Sequence, residues 1–299
     1  MRVVAIVLAG CFAGARGHYT VSVILSTASP TLAPGGALLL IGIAAVLYLV
    51  AALPAGGVRH PSAAALFGGF LLHGLLLIID IGGFGQSQPG ARLGFGPVLS
   101  MAVWLVIAVY TVESRLVPLP AVRQWLGGAG VAAVLLAALF PGDPKVMTSA
   151  LTPLHFALGV GSYGLFGAAV LHAVLLDAAE RRLRPATAGA TRGAGSPAFG
   201  MPLLQLERLT FRFVEAGFVV LTATLLLGFM STEQWRWGDH KAVFSVLAWG
   251  VFAALLVGRR LRGWRGRRAT RWLYVGAVLL LLAYAGSRFV LEVLLSRGV

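Results

Sequence analysis

Eight stretches of this 299-residue chain are apolar for long enough to cross a lipid bilayer, and no other feature limits its fold as tightly. They fall at residues 36–53, 63–83, 96–112, 122–140, 147–175, 214–230, 242–258 and 272–291. About 20 helical residues cross the roughly 30 Å hydrocarbon layer, where the backbone must satisfy its own hydrogen bonds; only helices and closed barrels do so. A barrel would need segments of about ten residues alternating in polarity, and this chain lacks that pattern. The expected fold is all-α, a polytopic integral membrane bundle of about eight transmembrane helices. Composition agrees, with 58% hydrophobic and 11% charged residues. Soluble domains carry about 25% charge, so a water-soluble enzyme is excluded.

The formal net charge is +14, from 24 Lys plus Arg against 10 Asp plus Glu. Sixteen of the basic residues fall in one set of loops, including the cluster Arg259, Arg260, Arg262, Arg265, Arg267, Arg268 and Arg271. The opposite side has six: Arg92, Lys145, Arg236, Lys241, Arg288 and Arg297. The positive-inside rule makes the arginine-rich side cytoplasmic and puts both termini outside. Basic residues clustered between apolar runs suit an anionic lipid bilayer and fit nucleic acid poorly. The single Cys11 permits no intramolecular disulfide, no cysteine-rich metal site and no covalent c-type haem.

Residues 181–200, rich in Ala, Gly, Pro and Thr, read as a flexible cytoplasmic linker dividing five helices from three. After it, residues 201–213 set Leu203, Leu206 and Leu209 opposite Glu207 and Arg208. That pattern suits either a short helix in the membrane interface or the inner end of the sixth span. Residues 1–35 form a leader outside the main domain at 36–299. Spanning with this leader would bury Arg16 and His18, which is costly. An over-long gene start is one reading. A lipoprotein-like cleavage site at Leu8, Ala9, Gly10 and Cys11 is the other.

Polar side chains inside a bilayer cost several kcal/mol unless partnered, which makes them candidates for function. His73 lies midway along the second span, about 15 Å from either end at 1.5 Å per residue. His155 lies at comparable depth on the fifth. His155, Gly159 and Ser162 share one helix face, and Gly69 precedes His73 by one turn. Small residues beside a histidine let a flat macrocycle approach the backbone with imidazole as axial ligand. Equally, they let two helices pack closely, with each histidine bonded to a neighbouring carbonyl or hydroxyl. His172, toward the cytoplasmic end, belongs to a separate environment. His240 follows Trp235, Trp237 and Asp239 in an outer loop, which reads as an interfacial aromatic belt or as a small platform with a ligand. Arg288 near the end of the last span pairs with Glu292 on its own helix or faces an anionic ligand. No HExxH, Walker loop, dinucleotide fingerprint or serine-hydrolase constellation stands in a credible context.

The stretches Leu72, His73, Gly74; Leu154, His155, Phe156, Ala157, Leu158 with Ser162 and Tyr163; Met201, Pro202, Leu203, Leu204 with Glu207 and Arg208; Asp239, His240, Lys241; Gly263, Trp264, Arg265, Gly266, Arg267, Arg268; and Tyr284, Ala285, Gly286, Ser287, Arg288 resemble the YpjD-type inner-membrane proteins. These stand in the wider CcsA and HemX group of cytochrome c assembly-like proteins. The resemblance runs from about Leu38 to the C-terminus. It implies a multi-pass protein of the bacterial inner membrane that catalyses no reaction of its own. It implies non-covalent haem b, held by His73 and His155 as axial ligands, with His240 and Arg288 at the site and cytochrome c assembly proteins as partners. Haem-presenting relatives carry a long tryptophan-rich outer loop with a Trp-Asp core. Here that loop is short, and Gly238 separates Trp237 from Asp239. The alternative is a HemX-like regulatory or scaffolding protein that affects haem synthesis or a transport complex without passing haem on.

Overall fold

The computed structural model describes residues 34–54, 61–82, 91–115, 119–142, 144–145, 151–183, 203–231 and 240–286. Among them are α1 (Pro34–Ala52), α2 (Ser62–Gly82), α3 (Phe95–Glu113), α4 (Pro120–Leu139), α5 (Leu151–Leu183), α6 (Leu203–Ser231), α7 (His240–Arg262) and α8 (Gly266–Leu281). A π-helical turn, Leu282–Gly286, continues α8. Six of these helices, α2 to α7, are long and apolar enough to cross a membrane. Large apolar side chains stay exposed along them, such as Ile78 at 61% and Phe229 at 64%. Such a surface is stable facing lipid and would aggregate in water. The polytopic all-α membrane bundle expected from the apolar runs is thus present. Two short strands, β1 (Ala91–Arg92) and β2 (Pro144–Lys145), pair antiparallel and clip the α2–α3 connection to the α4–α5 connection.

The helices pack as two halves. Ala44, Tyr48, Leu66, Ile107, Leu126 and Val134 form the core of α1 to α4. Phe166, Phe211, Val214, Phe252, Leu255 and Leu273 form that of α5 to α8. Helix α5 joins them, packing on α3 as well as on α6 and α8. A third cluster, with Leu77, Leu93, Val98, Met101 and Val160, seals the seam at the end away from the arginines.

Two boundaries differ from the sequence reading. Helix α5 continues through Arg181, Arg182 and Leu183, so the expected linker loses its first three residues to the helix, and its remainder, 184–200, lies outside the described residues. Helix α6 is one rod from Leu203, and this decides between the two readings of 201–213: the segment is the inner end of the sixth span. Glu207 faces inward beside buried Leu206, and Leu204 faces out. The reason is charge pairing. Arg265 grips Glu207 through Nε and Nη2 at 3.1 and 3.0 Å, and Arg259 adds a bond at 3.2 Å while stacking on Phe211. The hydrogen bonding of Arg265 to Glu207 and the carboxylate's charge hold the Arg265 guanidinium even more firmly protonated than usual.

The turn between α7 and α8 makes this grip reachable. Gly263 and Gly266 take φ values of 62° and 55°, the left-handed region that disfavours other residues. Between them Trp264 folds back onto α7, its backbone N–H donating to the Gly258 carbonyl at 3.2 Å. Replacing Glu207 by Ala strands Arg259, only 25% exposed, and should cost about 3 kcal/mol or more. Glu215→Ala breaks the Arg260 pair, whose partners are 75% and 50% exposed, and should change stability by about 0.5 kcal/mol or less. Thermal unfolding of both variants in detergent checks this contrast.

Candidate functional site

His155 rises from the first turns of α5 into a cavity of about 330 Å³ walled by α3, α5, α6, α7 and the end of α8. Its Nδ1 lies 3.0 Å from the carbonyl oxygen of Thr224 on α6. A carbonyl only accepts, so Nδ1 carries a proton, and in the neutral ring Nε2 keeps its lone pair. Among the described residues Nε2 has no hydrogen-bond partner. Gly228, one turn beyond Thr224, makes the approach possible, since a Cβ there would stand 3.0 Å from His155 Cε1. Gly159 and Ser162 line the same cavity, with the Ser162 hydroxyl turned to the Gly159 carbonyl at 2.7 Å.

Two tyrosines frame the other wall. The Tyr163 hydroxyl donates to the Leu280 carbonyl, and the Tyr284 hydroxyl donates to the Leu93 carbonyl at 2.7 Å. Tyr163 thus reaches the stretch where α8 loosens into its π-helical turn, and Tyr284 belongs to that turn, a distortion frequent at functional sites. Lys241 lines the cavity from α7, its ammonium 5.7 Å from the Tyr284 ring centre.

His73 stands elsewhere. It is 1% exposed, with Nδ1 3.0 Å from the Tyr48 hydroxyl and Nε2 2.6 Å from the Ser100 hydroxyl. One ring nitrogen donates and the other accepts, and both are engaged. The space at Gly69, read from the sequence as room for a macrocycle, is filled by the Tyr48 ring: a Cβ at Gly69 would stand 3.0 Å from it, and one at Gly130 on α4 2.7 Å. His73 lines a separate cavity of about 180 Å³ with Asp80, Arg92 and Ser100. Leu77, Val98 and Val160 of the seam cluster pack between the two cavities. The structure therefore does not bring His73 and His155 to a common space.

His172 occupies the separate environment expected of it. Its Nδ1 lies 2.8 Å from the Ala168 carbonyl and its Nε2 3.0 Å from Glu113 on α3. His240 is the first residue of α7, immediately before Lys241. Arg288, Trp235, Trp237 and the leader at 1–33 lie outside the described residues. Among the described residues no three His, Cys, Asp or Glu side chains converge.

Sequence reasoning missed Tyr48, Thr224 and Gly228. A tyrosine midway along an otherwise apolar span was the available signal for Tyr48. Nothing local marks the other two, whose roles arise only where α6 meets α5.

The bundle and its cavities define a class first: a polytopic helical membrane protein with a histidine-lined space inside its membrane-spanning part. Residues 63–295 match the family model described as cytochrome C assembly protein, and the chain belongs to that family. It is similar to inner membrane protein YpjD of Escherichia coli (strain K12), 29% identical over 248 residues, which cover 80% of this chain and 89% of that one. A stretch of 98 residues is 34% identical to cytochrome c biogenesis protein CcsA of Gloeobacter violaceus, covering 31% of this chain and 29% of that one. No solved structure matches the chain.

Tyr48→Phe removes the hydroxyl from Nδ1 of a buried histidine and should destabilise the protein by about 1–3 kcal/mol, the cost of one buried unsatisfied polar group. Ser100→Ala should do the same at Nε2. Chemical unfolding of the two variants in detergent measures both.

Proposed function

We propose that this protein is a haem-binding membrane factor of cytochrome c assembly, holding haem b non-covalently with His155 Nε2 as an axial ligand. One observation carries the reading: His155 lines the 330 Å³ cavity, and the Thr224 carbonyl fixes a proton on its Nδ1, which leaves Nε2 as the nitrogen available to a ligand. An acceptor of this kind behind a ligating histidine sets its tautomer and raises its basicity. The cavity suits a macrocycle in another respect, since Phe156, Val160, Leu221 and Leu225 offer apolar faces beside a few polar groups. When bound, haem supplies a redox-active iron whose behaviour its axial ligands and surroundings tune.

The chain's own residues divide the work. His155 holds the iron, Thr224 orients His155, and Gly228 keeps α6 clear of the ring. His240, the first residue of α7, and Arg288 are the further proposed haem-binding residues, Arg288 as partner of the haem carboxylates. His73 is assigned to the polar cluster with Tyr48 and Ser100, because ligating an iron would require it to give up one of two short hydrogen bonds. The protein sits in the bacterial inner membrane, with its arginine-rich end toward the cytoplasm and anionic lipid. Membership of the cytochrome c assembly family and the similarity to a protein named for cytochrome c biogenesis support the pathway. Cytochrome c assembly proteins are its proposed partners.

Protein purified from haem-replete membranes should show a low-spin b-type spectrum. His155→Ala should lose it, while His73→Ala should keep it. A colourless parent protein would sink the haem reading, and loss of the spectrum in both variants would put the two histidines on one iron.

A further inference from the structure

Helix α7 brings two polar side chains to the His155 cavity, Lys241 and Ser245, one turn apart on the same face. Lys241 is the one charged side chain among the described residues that line this cavity. The other hydroxyls of the lining are engaged by carbonyls: Ser162 by Gly159, Tyr163 by Leu280, Thr224 by Val220 and Tyr284 by Leu93. The Ser245 hydroxyl has no hydrogen-bond partner among the described residues. Both Lys241 and Ser245 lie within the first two turns of α7, where the leading N–H groups of a helix favour negative charge. Helix α5 starts at the same end of the bundle, since both helices carry their arginines at the other, and His155 is its fifth residue.

Resting on the haem reading above, we propose that Lys241 and Ser245 form the seat of one haem carboxylate, the ammonium supplying the charge and the hydroxyl a second donor. Haem carries two carboxylates, so this seat stands beside the role given to Arg288 rather than replacing it. A carboxylate brought into a membrane-spanning cavity needs a cation and hydrogen-bond donors, because the hydrocarbon around the bundle offers neither. An ammonium carries three donors and acts as a point charge, so it receives a carboxylate without the fixed fork that a guanidinium imposes. The Tyr284 ring, 5.7 Å from that ammonium, helps to hold the lysine at the cavity. The pair is a specificity device: it separates a macrocycle with ionised carboxylates from a neutral one of the same shape, while His155 recognises the iron in both.

The test titrates the full-length, haem-free protein in detergent with haem b and with haem b dimethyl ester, whose carboxylates are capped, and reads binding from the low-spin Soret band. The parent should bind haem more tightly than the ester. Lys241→Gln should weaken haem binding by about tenfold, the lower end for a hydrogen bond to a charged group, and leave the affinity for the ester unchanged. The low-spin band should persist in this variant, since the iron ligand is untouched, and its unchanged ester affinity shows that the cavity is still folded. Lys241→Arg should restore most of the preference for haem, and Ser245→Ala should lose a smaller part of it. Parental haem affinity in Lys241→Gln, an equal loss for haem and ester, or a parent that does not tell the two compounds apart overturns the carboxylate seat. A parent that binds neither compound overturns the haem reading itself, which separates that failure from failure of the seat.

Discussion

Inside hydrocarbon no water is available to satisfy a donor or acceptor, so each polar side chain in this bundle is placed by the partner it finds in the protein. His73 is held between two hydroxyls, His172 between a carbonyl and a carboxylate, and Asp177 by the hydroxyls of Thr270 and Tyr274. Each arrangement ties two or three helices together, and each uses every polar atom of the ring or carboxylate. His155 differs in leaving one nitrogen over. The same rule that makes the other clusters structural is what supports the proposed ligand role of that nitrogen.

The two halves of the bundle meet along α5. The apolar cluster around Leu77, Val98 and Val160 closes the seam at one end, and the His172–Glu113 contact bridges α5 to α3 farther along. Between them α3 and α5 approach closely, since a Cβ at Gly167 would stand 2.7 Å from Val106 Cγ2. The Tyr163 hydroxyl reaches from α5 to the Leu280 carbonyl of α8.

Much of this architecture was legible in the sequence because the bilayer dictates it: runs of about 20 apolar residues have few alternatives. Helix ends were less legible, since Arg181 and Arg182 look like linker yet continue α5, and Glu207 looks solvated until Arg259 and Arg265 are seen to enclose it. Within the site, the shared face of His155, Gly159 and Ser162 follows from helical period alone. The tautomer does not, because Thr224 lies 69 residues away in the chain. Gly69 shows the same limit from the other side: small residues near a histidine signal close approach, but the sequence does not say that Tyr48 is what approaches.

The proposed ligand role depends on which nitrogen of His155 bears the proton. Solid-state NMR of the protein in lipid bilayers, with ¹⁵N-labelled histidine and His155 assigned by substitution, reads this directly. A protonated Nδ1 and a bare Nε2 are expected in the haem-free protein, with haem shifting Nε2 and leaving the Nδ1 proton in place. A proton on Nε2, or a signal unchanged by haem, would contradict it.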